Sequence, residues 1–293
     1  MNERSKALVY LSLATVVWGS TFIVLKLLLP RISPLLLVGS RFAIAAIVAG
    51  VVLKLRGEGI NRAMLRRGTV LGLVLMGGYI FQTLGLQYTG AGKSGFVTTL
   101  YLVFVPMFSW PLSKQRPQWR IFVAIAVSLG GVWLLADPRG ALNPGDLITA
   151  LSAVCFGAQL ALIDHFMLKE GSVDAKSGSV LGITVVQLVV VAVGAFALAP
   201  LLEEPRFALD LPSLAGLLYL AVVATVFVWL WQMKWQPVLG AEKASLLYVG
   251  EAIVAAIGGV IVFGESLPWY GYLGAGLIMA AAAWTTMSGK QKS

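Results

Sequence analysis

Ten apolar stretches, each about 17–25 residues long, make up most of this chain. They fall at roughly 8–29, 34–54, 69–86, 94–112, 119–136, 146–168, 179–200, 213–233, 244–262 and 268–286. A helix of about 20 residues spans the hydrocarbon of a bilayer. Backbone polar groups find no partner in lipid, so only helices or closed barrels cross it. Barrel strands would alternate polar and apolar side chains, and these runs do not. The first two are split only by Pro30-Arg31-Ile32-Ser33-Pro34, and two prolines in five residues favour a tight turn over one long helix. Composition agrees. Hydrophobic residues form 58% and charged residues 12%, against about 45–50% and about 25% in soluble domains. These figures exclude a soluble globule, a disordered chain and a coiled coil. The expected fold is an all-α polytopic membrane protein with ten transmembrane helices.

Charge placement tests that count. The formal net charge is +9, which without the apolar runs would suggest nucleic acid. With the N-terminus placed in the cytoplasm, sixteen basic residues fall on the inner side. They are Arg4, Lys6, Lys54, Arg56, Arg62, Arg66, Arg67, Lys114, Arg116, Arg120, Lys169, Lys176, Lys234, Lys243, Lys290 and Lys292. The outer side holds four: Arg31, Lys93, Arg139 and Arg206. Lys26 and Arg41 lie inside spans and complete the 22. Basic residues mark the cytoplasmic side of a membrane. Both termini are therefore expected in the cytoplasm, and no nucleic-acid partner is expected. Arg4 and Lys6 precede the first run without a small-residue cleavage site, so that run reads as a retained span.

The loops leave no room for a soluble domain, since the longest, from Lys54 to Gly68, has about fourteen residues. Gly90-Ala91-Gly92-Lys93-Ser94 lacks the first glycine of a phosphate-binding loop. Cys155 is the one cysteine and His165 the one histidine. No disulfide, no metal site and no cofactor is expected from them.

The chain halves near residue 140, with five stretches on each side. A shift of 150 residues lays Gly90-Ala91-Gly92-Lys93 over Gly240-Ala241-Glu242-Lys243 and Trp119 over Trp269. A shift of 138 lays Trp18-Gly19 over Phe156-Gly157, and Lys26 over Asp164. An odd number of spans per half forces opposite orientations, which is the inverted repeat of many secondary transporters. The expected units are two inverted five-helix repeats, 1–140 and 141–293. Spacings such as Gly68 with Gly72 and Ala126 with Gly130 favour close helix packing.

Ionisable residues within spans are costly and mark function by default. Glu251 is the deepest acid, about 12 Å from the inner end of the ninth span at 1.5 Å per residue. It is suited to carry a proton, to hold a cationic group, or to fix neighbouring helices. Arg41 lies roughly 10 Å deep in the second span. It offers a fork for a carboxylate, or a snorkelling or helix-end contact. Lys26 lies near the outer end of the first span, and Asp164 beside His165 near the inner end of the sixth. These four, with Glu251, are the candidate gating or coupling residues. Candidate lining of a central substrate cavity is Trp18, Phe22, Tyr79, Gln82, Thr98, Thr99, Tyr101, Trp229, Gln232, Tyr248 and Glu251. Tyr248 and Glu251 share a helix face, as do Tyr79 and Gln82. Aromatic rings with polar edges grip small amphipathic solutes. Trp119, Trp269 and Trp284 sit at span ends and read as interfacial anchors.

Trp18-Gly19-Ser20-Thr21-Phe22 with Lys26 resembles the first-span signature of the drug/metabolite transporter superfamily, and more narrowly of the EamA-type transporters. Pro34 with Arg41 is similar to the family's second span. Ser94-Gly95-Phe96 to Tyr101 with Phe104-Val105-Pro106 is similar to its fourth. Ala244-Ser245-Leu246-Leu247 to Glu251 with Gly264-Glu265 is similar to its ninth. The resemblance implies ten helices in two inverted repeats, cytoplasmic termini and export of small metabolites or drugs. Two positions depart from the pattern. Ala252 follows Glu251 where proline is common, which predicts a straighter ninth span. Gln115 stands where a glutamate is usual after the fourth.

The functional expectation is a secondary transporter in a bacterial inner membrane. It would move a small organic metabolite, such as an amino acid, or a drug, with membrane lipid as its surroundings and protons as a candidate coupling ion. An intramembrane enzyme on a lipid or small molecule is the alternative, and a channel the third. For the enzyme, adjacent helix positions such as Asp164 and His165 diverge by about 100°. For the channel, no selectivity-filter motif is visible.

Overall fold

The computed structural model describes residues 2–114, 116–135, 143–168, 177–266 and 268–287. Among these residues it contains no strand, only an isolated bridge between Ile32 and Phe207. Eight helical runs are long and apolar enough to cross a membrane. They are Glu3–Leu28, Pro34–Leu55, Arg62–Leu86, Ala91–Ser113, Pro144–Met167, Val180–Leu202, Leu211–Leu239 and Ala241–Phe263. A shorter apolar helix covers Trp119–Leu134, and a final one covers Trp269–Met287. All ten apolar stretches are thus helical.

In chain order the helices are α1 (Glu3–Leu28), α2 (Pro34–Leu55), α3 (Arg62–Leu86), α4 (Ala91–Thr98), α5 (Tyr101–Ser113), α6 (Trp119–Leu135), α7 (Pro144–Leu168) and α8 (Ser177–Leu202). They continue as α9 (Leu211–Leu218), α10 (Val228–Leu239), α11 (Ala241–Tyr248), α12 (Gly250–Phe263) and α13 (Trp269–Met287), with a π-helical segment, Tyr219–Phe227, joining α9 to α10. Gln115 and the residues around Arg139, Lys169, Lys176, Lys290 and Lys292 lie outside the described part.

Local chemistry sets the helix starts. Asn2 accepts from the Ser5 N–H, Asn61 from Met64 and Asp210 from Ser213, the usual side-chain cap of orphan donors. At α2 the cap comes from elsewhere. Ser33 makes no such bond, Pro34 opens the helix, and Glu203 at the far end of α8 accepts from Ser33 Oγ, Leu35 N and Leu36 N at 2.7–3.0 Å. The corner between α1 and α2 is further pinned to the corner between α8 and α9. Ser33 N donates to the Arg206 carbonyl and Ala208 N to that of Arg31. Arg31 also pairs with Asp210 at 2.6 Å. The Ser213 N–H and then the Arg31 charge hold the Asp210 carboxyl below its ordinary range.

Two spans are broken near their middles. α4 gives way to α5 through tightened turns, in which Thr99 N and Leu100 N reach back three residues to Phe96 and Val97. α11 gives way to α12 at Val249, where Ala252 N likewise bonds to the carbonyl three residues back. The straighter ninth span expected from Ala252 is therefore not found. The turn tightens one residue before Gly250, so a proline at 252 is not needed to interrupt the helix.

Helices pack α3 on α7 and α8, α2 on α8, α1 on α12, and α6 on α13. Small residues set the spacing, as expected where no hydrophobic force acts between helices. A Cβ on Gly68 would stand 2.5 Å from Val186 Cβ, and one on Gly72 2.7 Å from Val190 Cβ. Large apolar side chains such as Ile47, Val193, Phe122 and Ile261 remain exposed on the outside, the surface a lipid-facing bundle needs.

Candidate functional site

The broken helices frame a central cavity of about 50 Å³, room for about three or four waters. It is lined by Trp18, Thr21 and Phe22 of α1, Tyr79 and Gln82 of α3, Thr98 of α4 and Tyr101 of α5. The second half of the chain supplies Phe156, Gln159 and Leu160 of α7, Trp229 and Gln232 of α10, Tyr248 of α11 and Glu251 of α12. The α4–α5 and α11–α12 breaks turn Thr98, Tyr101, Tyr248 and Glu251 towards one space. α1 reaches it because Gly19 lets α12 approach. A Cβ there would sit 2.5 Å from Val254 Cβ and 2.7 Å from the Glu251 carbonyl oxygen.

These lining residues pair off across the chain. Trp18 with Phe156, Thr21 with Gln159 and Phe22 with Leu160 stand 138 positions apart. Tyr79 with Trp229, Gln82 with Gln232, Thr98 with Tyr248 and Tyr101 with Glu251 stand 150 apart. The two halves thus line the cavity from corresponding positions. The charge is one-sided, for Glu251 faces a tyrosine counterpart.

Ten of the eleven lining candidates from the sequence meet here. Thr99 does not. It is buried at the α4–α5 break, and its hydroxyl donates to the Phe96 carbonyl at 2.7 Å. Thr21, Phe156, Gln159 and Leu160 were missed. Gln159 is an amide in mid-span like Gln82 and Gln232, and Phe156 is the 138-residue mate of Trp18, so both carried a legible signal.

The rings interlock. Trp18 meets Trp229 at 5.7 Å between centroids and Tyr248 edge-on at 5.2 Å. Tyr79 meets Phe156 at 5.4 Å. Several polar atoms at the cavity are buried without a hydrogen-bond partner: Trp18 Nε1, Trp229 Nε1, Tyr101 OH, Tyr248 OH, Gln159 Oε1 and Gln232 Oε1. Such groups are costly when left alone, and are suited to a ligand's polar groups or to water. Glu251 is 6% exposed, and no ion pair among the described residues includes it.

Arg41 lies behind this wall. It is 1% exposed and stacks over Tyr79 at 4.7 Å and Phe42 at 5.4 Å. Its Nε donates to Thr225 Oγ1 at 2.8 Å. Thr225 in turn bonds back five residues to the Leu220 carbonyl inside the π-helical segment. Arg41 thus neither snorkels nor lines the cavity. It packs α2 against a widened turn of the neighbouring span.

Lys26 and Asp164 each bond to a corner between two other helices. Lys26 Nζ donates to the carbonyls of Leu86 at 2.9 Å and Thr89 at 2.5 Å, at the corner between α3 and α4. Beside it Lys93 pairs with Asp146 at 2.7 Å. Glu265 also accepts from Ala91 N and Gly92 N at the start of α4. At the opposite end Asp164 accepts from Gln236 Nε2 at 2.7 Å and from Ala241 N, at the corner between α10 and α11. Gly240 makes that corner with φ +85°, a region that favours glycine. His165 does not bond to Asp164; its ring lies against Phe166. Both residues line a second cavity of about 530 Å³ with Ser109, Arg116, Glu242 and Lys243. Leu160 and Ala161 are adjacent on α7 and face the first and second cavities respectively.

The profile of the EamA-like transporter family matches residues 5–136 and 143–287. An uncharacterized transporter of Archaeoglobus fulgidus is 29% identical over 92% of this chain and 82% of its own. The uncharacterized transporter YcxC of Bacillus subtilis is 23% identical over 100% and 96%. The uncharacterized inner membrane transporter YedA of Escherichia coli is 27% identical over 93% and 88%. A solved crystal structure covers 98% of this chain and 99% of the other with a TM-score of 0.71 at 20% identity, a likeness of fold. With a family match over both halves and a bundle of apolar helices built to cross a membrane, the chain belongs to the EamA-like transporter family and is a multi-pass membrane transporter.

Proposed function

We propose that this protein is a secondary transporter that moves a small organic metabolite or drug outward across a cytoplasmic membrane by alternating access. The observation that carries this reading is the central cavity, lined in pairs by the two halves and set where the fourth and ninth spans break. With α6 and α13 counted as spans, the chain crosses ten times, as two inverted five-helix repeats, 1–140 and 141–293. The paired 138- and 150-residue offsets and the two-part family match support that division. Spans interrupted at the midplane are where transporters of this kind bind cargo. The Lys26 and Asp164 contacts serve as outer and inner latches. The 530 Å³ cavity at the Asp164 end is the inner vestibule, and Leu160 is the septum between it and the binding site. Glu251 is the one carboxylate on the cavity wall and the point at which a proton or a charged cargo acts.

Counterflow in proteoliposomes tests this. Vesicles loaded with a saturating unlabelled solute should transiently accumulate the labelled solute from outside. Protein whose cavity is filled by Thr98→Trp, at a position on its wall, should show none. Accumulation that is linear and non-saturable would instead indicate a channel.

The basic residues support cytoplasmic termini. In a Cys155→Ala background, Ser5→Cys should react with an impermeant maleimide only after the cells are opened, while Asn143→Cys should react in intact cells. The reverse pattern would invert the topology.

A further inference from the structure

The cavity's chemistry narrows the cargo, on the reading that this cavity is the transport site. Its wall carries one formal charge, the Glu251 carboxylate, and no lysine or arginine. The guanidinium of Arg41 is held behind the Tyr79 ring by Thr225 and does not line the space. The rest of the wall is largely aromatic, with indole and phenol rings from both halves. Rings attract a cation through the negative potential of their faces. A carboxylate among them supplies the full charge in a place with little water to screen it. The unpartnered amide oxygens of Gln159 and Gln232 are acceptors. The Gln159 amide is also tied to that of Gln187 at 3.2 Å. A carboxylate on the cargo would find the indole N–H groups but no cation, and would lie close to Glu251.

We infer that the cavity, widening beyond its about 50 Å³ to admit a cargo, selects a protonated organic amine with an aromatic or aliphatic body and without a carboxylate, its N–H groups donating to Glu251 and the spare amide oxygens. A zwitterionic amino acid carries the same ammonium, but adds an anion that this wall does not neutralise. The inference concerns the class of ligand and leaves the direction and energy source of transport untouched.

Four probes with one body and different charge separate the possibilities: 2-phenylethylamine, phenylalanine, 3-phenylpropionate and 2-phenylethanol. Binding to the purified full-length protein is followed by quenching of tryptophan fluorescence, since Trp18 and Trp229 face the site. The amine should bind at least tenfold tighter than each of the other three. Glu251→Gln should cut that preference below threefold, and Glu251→Asp should keep most of it. Thermal unfolding confirms that both variants are folded. Equal or tighter binding of phenylalanine or phenylpropionate overturns the inference. So does a preference that survives in a folded Glu251→Gln protein, or an absence of amine binding to the wild type. Counterflow of the same probes separates this result from the transport reading. Saturable amine binding without counterflow leaves the ligand class standing and removes transport. Counterflow of the neutral or anionic probe alone does the opposite.

Discussion

Gly19→Ala is expected to cost at least tenfold in transport rate, although it adds one methyl group. That methyl would fall 2.5 Å from Val254 Cβ and 2.7 Å from the backbone oxygen of Glu251. The second contact is decisive, because a backbone carbonyl within a helix cannot rotate away as a side chain can. α1 and α12 must separate, or α12 must shift at Glu251 itself. Overpacking of this kind typically costs about 1–3 kcal/mol, and here the strain falls on two walls of the cavity. Trp18 precedes the glycine and Glu251 belongs to the opposing helix, so both would move from their positions around the site. Gly50→Ala supplies the control. It lies in α2, also a helix, and no atom stands within 4 Å of its added Cβ. Flux and thermal stability should be unchanged there. If the two alanine variants transport alike, close approach of α1 and α12 is not what shapes the site.

The second large effect concerns the latches. Lys26→Met removes the ammonium that binds the Leu86 and Thr89 carbonyls. Asp164→Asn replaces an acceptor with an amide that meets two donors, Gln236 Nε2 and Ala241 N. Leaving such groups unpaired costs about 1–3 kcal/mol, enough to shift a two-state balance by about 5- to 150-fold. The two changes should act at opposite ends. Labelling of Gln82→Cys from outside should speed up about tenfold in Lys26→Met, as the outer corner opens more often. Labelling of Leu160→Cys from the inner side should speed up similarly in Asp164→Asn. Each variant should slow or leave unchanged the reaction from the other side, since a transporter that alternates does not open both ends together. Equal acceleration from both sides in either variant would mean general loosening, and would remove these residues as gates.

The opposite charges of Lys26 and Asp164 follow from helix direction. Lys26 meets the end of α3, where carbonyls are exposed. Asp164 meets the start of α11, where N–H groups are exposed. A cation suits the first and an anion the second. The 138-residue shift places the two at matching positions in sequence, yet each acquires the sign that its own corner requires.

What the sequence determined was largely what lipid imposes. Apolar runs that do not alternate with polar residues had to be helical, because only helices and closed barrels satisfy their own backbone hydrogen bonds in hydrocarbon, and eight of these runs are long and apolar enough to cross a membrane. Pro34 marked the start of the second span, and the tryptophan, tyrosine and amide positions in mid-span pointed to most of the cavity wall. Tertiary structure decided the remainder, because a helix exposes all its sides to view in sequence and only packing chooses among them. Thr99 and Thr98 are neighbours in sequence, but the tightened turn at the α4–α5 break leaves one facing the cavity and the other bonded to Phe96. Arg41 looked equally able to bind cargo, until its guanidinium was seen behind Tyr79 and against a π-helical turn that no local pattern announced. Gln159 resembled Gln82 and Gln232 in sequence, but only the packing of α7 against α3 and α10 put it on the wall. The interruption of the ninth span likewise came without its expected proline, from a backbone turn beside Gly250. Composition and periodicity fix which segments enter the membrane; contacts between segments distant in sequence fix which side chains meet inside it.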